Sequence, residues 1–91
     1  MNEINLLEIF YASMLALGEK RENVFLSIDE DFLTRAKNLY GSNVTFEHLE
    51  KLADICIANE WLERTTADPY YNYLSLTEAG LQVVLMYEYK K

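Results

Sequence analysis

His48 and Cys56 are the chain's single histidine and single cysteine, so any metal or thiol chemistry would start from them. They stand eight residues apart, roughly two helical turns. A metal site needs further ligands, and a solvent-facing helical histidine accounts for His48 without one. Cys56 falls on an apolar stripe, where a thiol serves as a small hydrophobe. Asp29-Glu30-Asp31 is a run of carboxylates, and acids are favoured where a helix begins. No acid pair, Gly-rich phosphate loop or Ser/His/Asp arrangement stands out. These residues predict no catalytic site, no cofactor and no metal.

Binding chemistry is better represented. Trp61, Tyr70, Tyr71 and Tyr73 cluster within a short stretch. Three uses are open to such a group: packing within the fold, contact with a protein partner, or stacking on nucleobases. Stacking works with basic neighbours, whereas the neighbours here are Glu63 and Asp68, with Arg64 the one base of the stretch. Lys20, Arg21, Arg35 and Lys37 form a second basic group, interspersed with Glu19, Glu22 and Asp31, which reads as a mixed solvated surface.

The bulk numbers narrow the classes further. A chain of 91 residues predicts one domain, 1–91, with a single small core. It is 51% apolar and 25% charged, which is ordinary globular composition. The net charge of −7 opposes generic nucleic-acid affinity, which depends on Lys and Arg neutralising phosphates. No apolar run of about 18 residues predicts a membrane span. Glu3 and Glu8 stand where a signal peptide would carry positive charge. A lone cysteine cannot form an internal disulfide, so a reducing cytoplasm is expected.

The elements that would position these residues follow from periodicity. Ile4, Leu7, Tyr11, Met14 and Leu15 predict a helix over 2–17, stopped by Gly18. Leu6, Ile9, Phe10 and Leu17 fill much of its remaining surface, and a helix apolar over most of its circumference is buried on more than one side. A partner subunit is a natural second side. Residues 24–28 read as a short strand, and Ser27 with Glu30 has capping-box spacing for the next helix. Phe32, Leu33, Ala36, Leu39 and Tyr40 give that helix its apolar face, and Gly41 ends it. After a tight turn, Thr45 caps a third helix with Leu49, Leu52, Ala53, Cys56 and Ile57 facing inward. Residues 61–66 and 71–76 read as the strands of a hairpin turning at 67–70. Leu74 and Leu76 share one of its faces, and Tyr71, Tyr73 and Ser75 share the other. Ser75 or Thr77 caps a last helix that is apolar nearly all round. The fold class is mainly α with a small β-hairpin.

Two segments carry a resemblance. Ile57 to Arg64 has the form hydrophobic-x-x-x-Trp-Leu-x-Arg, and Leu76-Thr77-Glu78-Ala79-Gly80 has the form Leu-Thr-x-x-Gly. Together with the element order they resemble the winged helix-turn-helix superfamily, in particular small bacterial regulators of the MarR and PadR type. The resemblance spans about residues 2–89 and implies a helix-turn-helix core, a short strand, a wing hairpin and a C-terminal helix. It also implies DNA reading by the third helix and backbone contact by the wing. On these positions the base-reading candidates are Thr45, Glu47, His48 and Lys51, and the wing candidates are Arg64, Thr65, Thr66 and Asn72. The charge departs from that pattern, with Glu47, Glu50, Asp54 and Glu60 set against Lys51. The first expectation is therefore an acidic winged-helix module binding a protein partner through this face, with Tyr70 and Tyr71 as further contacts. It would be a homodimer through Leu6, Phe10 and Leu17 of the first helix and Val83, Met86 and Tyr87 of the last. The alternative is a sequence-specific DNA-binding regulator.

Overall fold

The computed structural model describes residues 1–90. Helix α1 (Glu3–Leu17) opens on a reciprocal cap: Asn2 accepts from the Asn5 backbone N–H, and Asn5 accepts from that of Asn2. It closes at Gly18, whose left-handed φ of 64° lets the Gly18 and Glu19 N–H groups return to Leu15 and Met14. A single 3-10 turn at Arg21–Asn23 follows, then α2 (Glu30–Tyr40), α3 (Phe46–Ala58), strand β1 (Leu62–Arg64), strand β2 (Leu74–Leu76) and α4 (Glu78–Lys90). The fold is mainly helical with one small antiparallel sheet.

α1 runs through the middle and packs against α3, α4 and β2. This accounts for the apolar positions from Ile4 to Phe10, while Leu15 and Leu17 at the helix end stay 64% exposed. Leu6, Leu7, Ile9 and Phe10 are buried by the chain's own elements. Phe10 meets Phe32 of α2 with ring centroids 6.1 Å apart. Leu6 and Phe10, expected at a dimer interface, thus lie inside the chain's own core.

The sheet is shorter than the alternating pattern predicts. Leu62 pairs with Leu76, Glu63 with Ser75 and Arg64 with Leu74. The other edge of β2 is covered by residues 24–28, where a strand was expected. They make one bridge, Leu26 with Leu74, and Ile28 N–H donates to the Tyr71 carbonyl at 2.8 Å. All of β2 is buried, including Ser75, whose hydroxyl donates to the Arg21 carbonyl at 3.2 Å. The alternation misplaces Ser75 because the 3-10 segment covers the face that would otherwise meet solvent.

One cap shifts, and the choice between Ser75 and Thr77 falls to Thr77. Asp29, not Ser27, caps α2 by accepting from the Phe32 N–H at 3.0 Å. Ser27 accepts instead from the Tyr73 N–H at 2.9 Å, which ties the hairpin to the segment before α2. Thr77 caps α4 by accepting from the Gly80 N–H at 3.0 Å. Its own hydroxyl donates to the Glu60 carbonyl, and its N–H donates to the Trp61 carbonyl at 3.1 Å. The Leu-Thr-x-x-Gly segment therefore clamps the start of α4 onto the exit of α3. Gly80 is the tightest point, since a Cβ there would lie 2.1 Å from the Trp61 carbonyl oxygen.

Candidate functional site

Thr45, the N-cap of α3, accepts from the His48 N–H at 3.1 Å and so fixes the first turn. Glu47, His48 and Lys51 are exposed on the next two turns. With Thr45, Leu52 and Ile55 they line one shallow depression of about 370 Å³. His48 Nε2 lies 3.1 Å from the Met1 carbonyl oxygen, so the chain's first residue borders the same surface. The expected third-helix candidates thus share a face.

The hairpin candidates meet a different part of α3. Residues 65–73 bend back onto the C-terminal half of that helix. Tyr71 donates its hydroxyl to the Asp54 carboxylate at 2.9 Å. The Arg64 guanidinium carbon lies 5.2 Å from the centre of the Tyr71 ring, and Arg64 also donates to the Tyr70 carbonyl. Asp68 accepts from the Tyr70 N–H at 2.7 Å and from the Asn72 side chain at 2.9 Å. Thr65 donates to the Tyr73 carbonyl. Tyr70 and Tyr73 remain exposed, while Trp61 and Tyr71 pack against the core. The aromatic group therefore divides between packing and exposed surface.

The electrostatics follow these contacts. The Tyr71 hydroxyl is held above the usual tyrosine range, first by its hydrogen bond to Asp54, then by desolvation and by the charges of Asp54 and Glu50; Arg64 opposes this. The Asp68 carboxyl is held below its usual range, chiefly by the Asn72 hydrogen bond and the Tyr70 N–H. Burial, aided by the Glu3 charge, pushes the Cys56 thiol up to about 12. That thiol donates to the Glu3 carbonyl at 3.6 Å inside the core, while His48 faces outward, so the two do not converge. Among the described residues no group of three His, Cys, Asp or Glu side chains could hold a metal ion.

No family model, curated protein or solved structure matches the chain.

The chain's arginines are Arg21, Arg35 and Arg64, and each donates to a carbonyl of its own fold. Arg21 reaches Leu76 at 3.4 Å and pairs with Glu78 at 3.2 Å. Arg35 reaches Ile9 at 3.4 Å and the Ser13 hydroxyl at 2.7 Å. Arg64 reaches Tyr70. The expected mixed patch of Lys20, Arg21, Arg35 and Lys37 accordingly loses both of its arginines to internal contacts.

The interface candidates also separate. Arg21, just past the end of α1, binds Glu78 at the start of α4. Glu3 and Ile4, at the other end of α1, line a groove of about 450 Å³ with Trp61, Val83, Met86, Tyr87 and Lys90. The two helices are thus antiparallel, with Leu17 at one end of the pair and Met86 and Tyr87 toward the other. Leu17, Met86 and Tyr87 are exposed by 64%, 59% and 53%.

Sequence reasoning placed Asp54 on exposed surface and missed it as the hairpin's anchor. A contact across 17 residues leaves no periodic trace. Asp68 was legible only as a turn residue; its spacing to Tyr70 suits an Asx turn.

Proposed function

We propose that this chain is a small acidic winged-helix module that works through protein contacts and pairs with a second copy of itself. The observation that carries the reading is the engagement of all three arginines by the fold's own carbonyls. Arginine is the residue best suited to bidentate phosphate contact. With the Arg64 guanidinium folded back onto Tyr70 and Tyr71, the outer face of α3 offers Lys51 against Glu47, Glu50 and Asp54. Phosphates would be repelled there, and a protein partner of complementary charge would not. The winged-helix assignment is supported by element order and by β2 lying between β1 and the Leu26 segment. The buried, unpaired Cys56 thiol fits a reducing compartment such as the cytoplasm. This reading involves no catalytic step.

Titration with mixed-sequence duplex DNA at about 50 mM salt tests the choice. No binding is expected. Binding that weakens steeply as salt rises would favour the second reading, a DNA-binding regulator. That reading draws on the exposed Thr45, His48 and Lys51 along the first turns of α3.

A further inference from the structure

α4 buries Gly80 and Val84 and turns a long stripe outward. Glu78, Ala79, Gln82, Leu85, Met86 and Tyr89 are exposed along it, with Tyr89 at 93%. Among the described residues no element covers this stripe. Its chemistry is ordered along the helix: an acid and a small residue at the N-terminal end, a large aromatic and a base at the C-terminal end.

We propose that a second copy of α4 lies antiparallel across this stripe, with the two-fold axis level with Val84. The register places Glu78 opposite Lys90 of the partner, Ala79 opposite Tyr89, and Gln82 opposite Met86. Tyr89 then meets a small residue, Met86 a flexible polar one, and Glu78 a base. A two-fold axis requires a surface to complement itself in this way. Antiparallel helices also bring the positive end of one dipole beside the Lys-bearing negative end of the other, where opposite charges attract. The Glu78 side chain stays 64% exposed while paired with Arg21, so it can meet Lys90 as well. A stable interface takes roughly 800 Å² from each partner, more than one helical stripe provides. The groove that Glu3, Ile4 and Trp61 form beside Met86 supplies the flank. The inference rests on the self-pairing proposed above and specifies its geometry.

Cysteine cross-linking tests it. In this register two copies of position 79 are about 15 Å apart along the helix axes, too far for a disulfide, while 79 and 89 face each other. Ala79→Cys and Tyr89→Cys chains, mixed and mildly oxidised, should give a disulfide-linked dimer that neither forms alone. Buried Cys56 stays out of the reaction. In parallel, light scattering should show Met86→Lys as a monomer and Leu17→Lys, at the far end of the α1–α4 pair, as a dimer. A wild-type chain that is monomeric at high micromolar concentration overturns both self-pairing and register. A wild-type dimer without the 79–89 cross-link, or one split by Leu17→Lys, overturns the register and leaves self-pairing standing.

Discussion

The base and the tip of the hairpin are held by different kinds of force. At the base, Leu62, Leu74 and Leu76 are buried to within 1% and the Thr77–Gly80 segment is pressed against the Trp61 carbonyl. Burial of each leucine side chain contributes about 2 kcal/mol, and close-packed backbone has no room to yield. At the tip, Arg64, Asp68, Asn72 and Thr65 make mostly exposed polar contacts, Tyr71 reaches across to α3, and the Tyr71 carbonyl and Tyr73 N–H are tied to Ile28 and Ser27. Exposed polar contacts exchange with solvent at little net cost. The hairpin is therefore one continuous piece of chain with a rigid root and an adjustable end. An interaction surface at the tip can change shape without disturbing the core.

Three substitutions or conditions would break or sharpen that contrast. Gly80→Ala should have the largest effect. The added methyl would sit 2.1 Å from the Trp61 carbonyl oxygen and 2.9 Å from Leu76 Cδ1, so α4 must move away from the sheet. A loss of about 3 kcal/mol is expected, read from urea unfolding, as for other overpacked cores. A near-neutral result would mean that the base is not close-packed.

Tyr71→Phe should be milder. It removes the bond to Asp54 while keeping the ring beneath Arg64, and for a hydrogen bond this exposed to solvent about 0.5 kcal/mol is expected. The telling measurement is amide exchange. Residues 65–73 should lose protection while residues 74–76 keep theirs. Equal loosening of both would remove the distinction between root and tip.

Acid should act most gently. The Asp68 carboxyl is depressed in the folded protein below its ordinary value of 3.8 by Asn72 and the Tyr70 N–H. A depressed carboxyl lends stability above its unfolded pKa and loses it as pH falls through the folded one. Below about pH 4 the tip should loosen, with the chemical shifts of Tyr70 and Asn72 moving together. Asp68→Asn should flatten that dependence; a dependence that persists unchanged in the variant would exclude Asp68 as its source.

Much of the scaffold was legible because it is local. Thr45, Gly18 and Gly41 mark helix ends by side-chain and backbone chemistry that operates within a few residues. The structure places all of them at caps. The end of α3 shows where this stops. Glu60 N–H returns to Ile57 and Trp61 N–H to Cys56, the same closure that Gly18 gives α1, yet Glu60 adopts a left-handed φ of 60°. A non-glycine residue there costs about 1 kcal/mol. The Thr77 hydroxyl binds the Glu60 carbonyl and helps hold the strained turn. No local rule identifies that residue as a helix end. Tyr73, also left-handed at φ 53°, is fixed by Ser27 in the same non-local way.

Of the candidate surface, composition alone announced its acidity and its shortage of arginine. Periodicity placed Thr45, Glu47, His48 and Lys51 together, because a helix repeats every 3.6 residues wherever it lies. What the sequence could not decide was which apolar positions face the chain itself. Leu6 and Met86 look alike in a hydropathy pattern; one is fully buried in the core, and the other is 59% exposed. Nor could it decide whether Arg64 reaches outward or folds back, since that depends on Tyr70 and Tyr71 arriving beside it. The sequence by itself determined the helices, most of their ends and the sign of the surface charge, because each of these arises from neighbours along the chain. Only the tertiary structure decided which apolar faces remain uncovered and which charges are already engaged, because those arise from contacts between residues far apart in the chain.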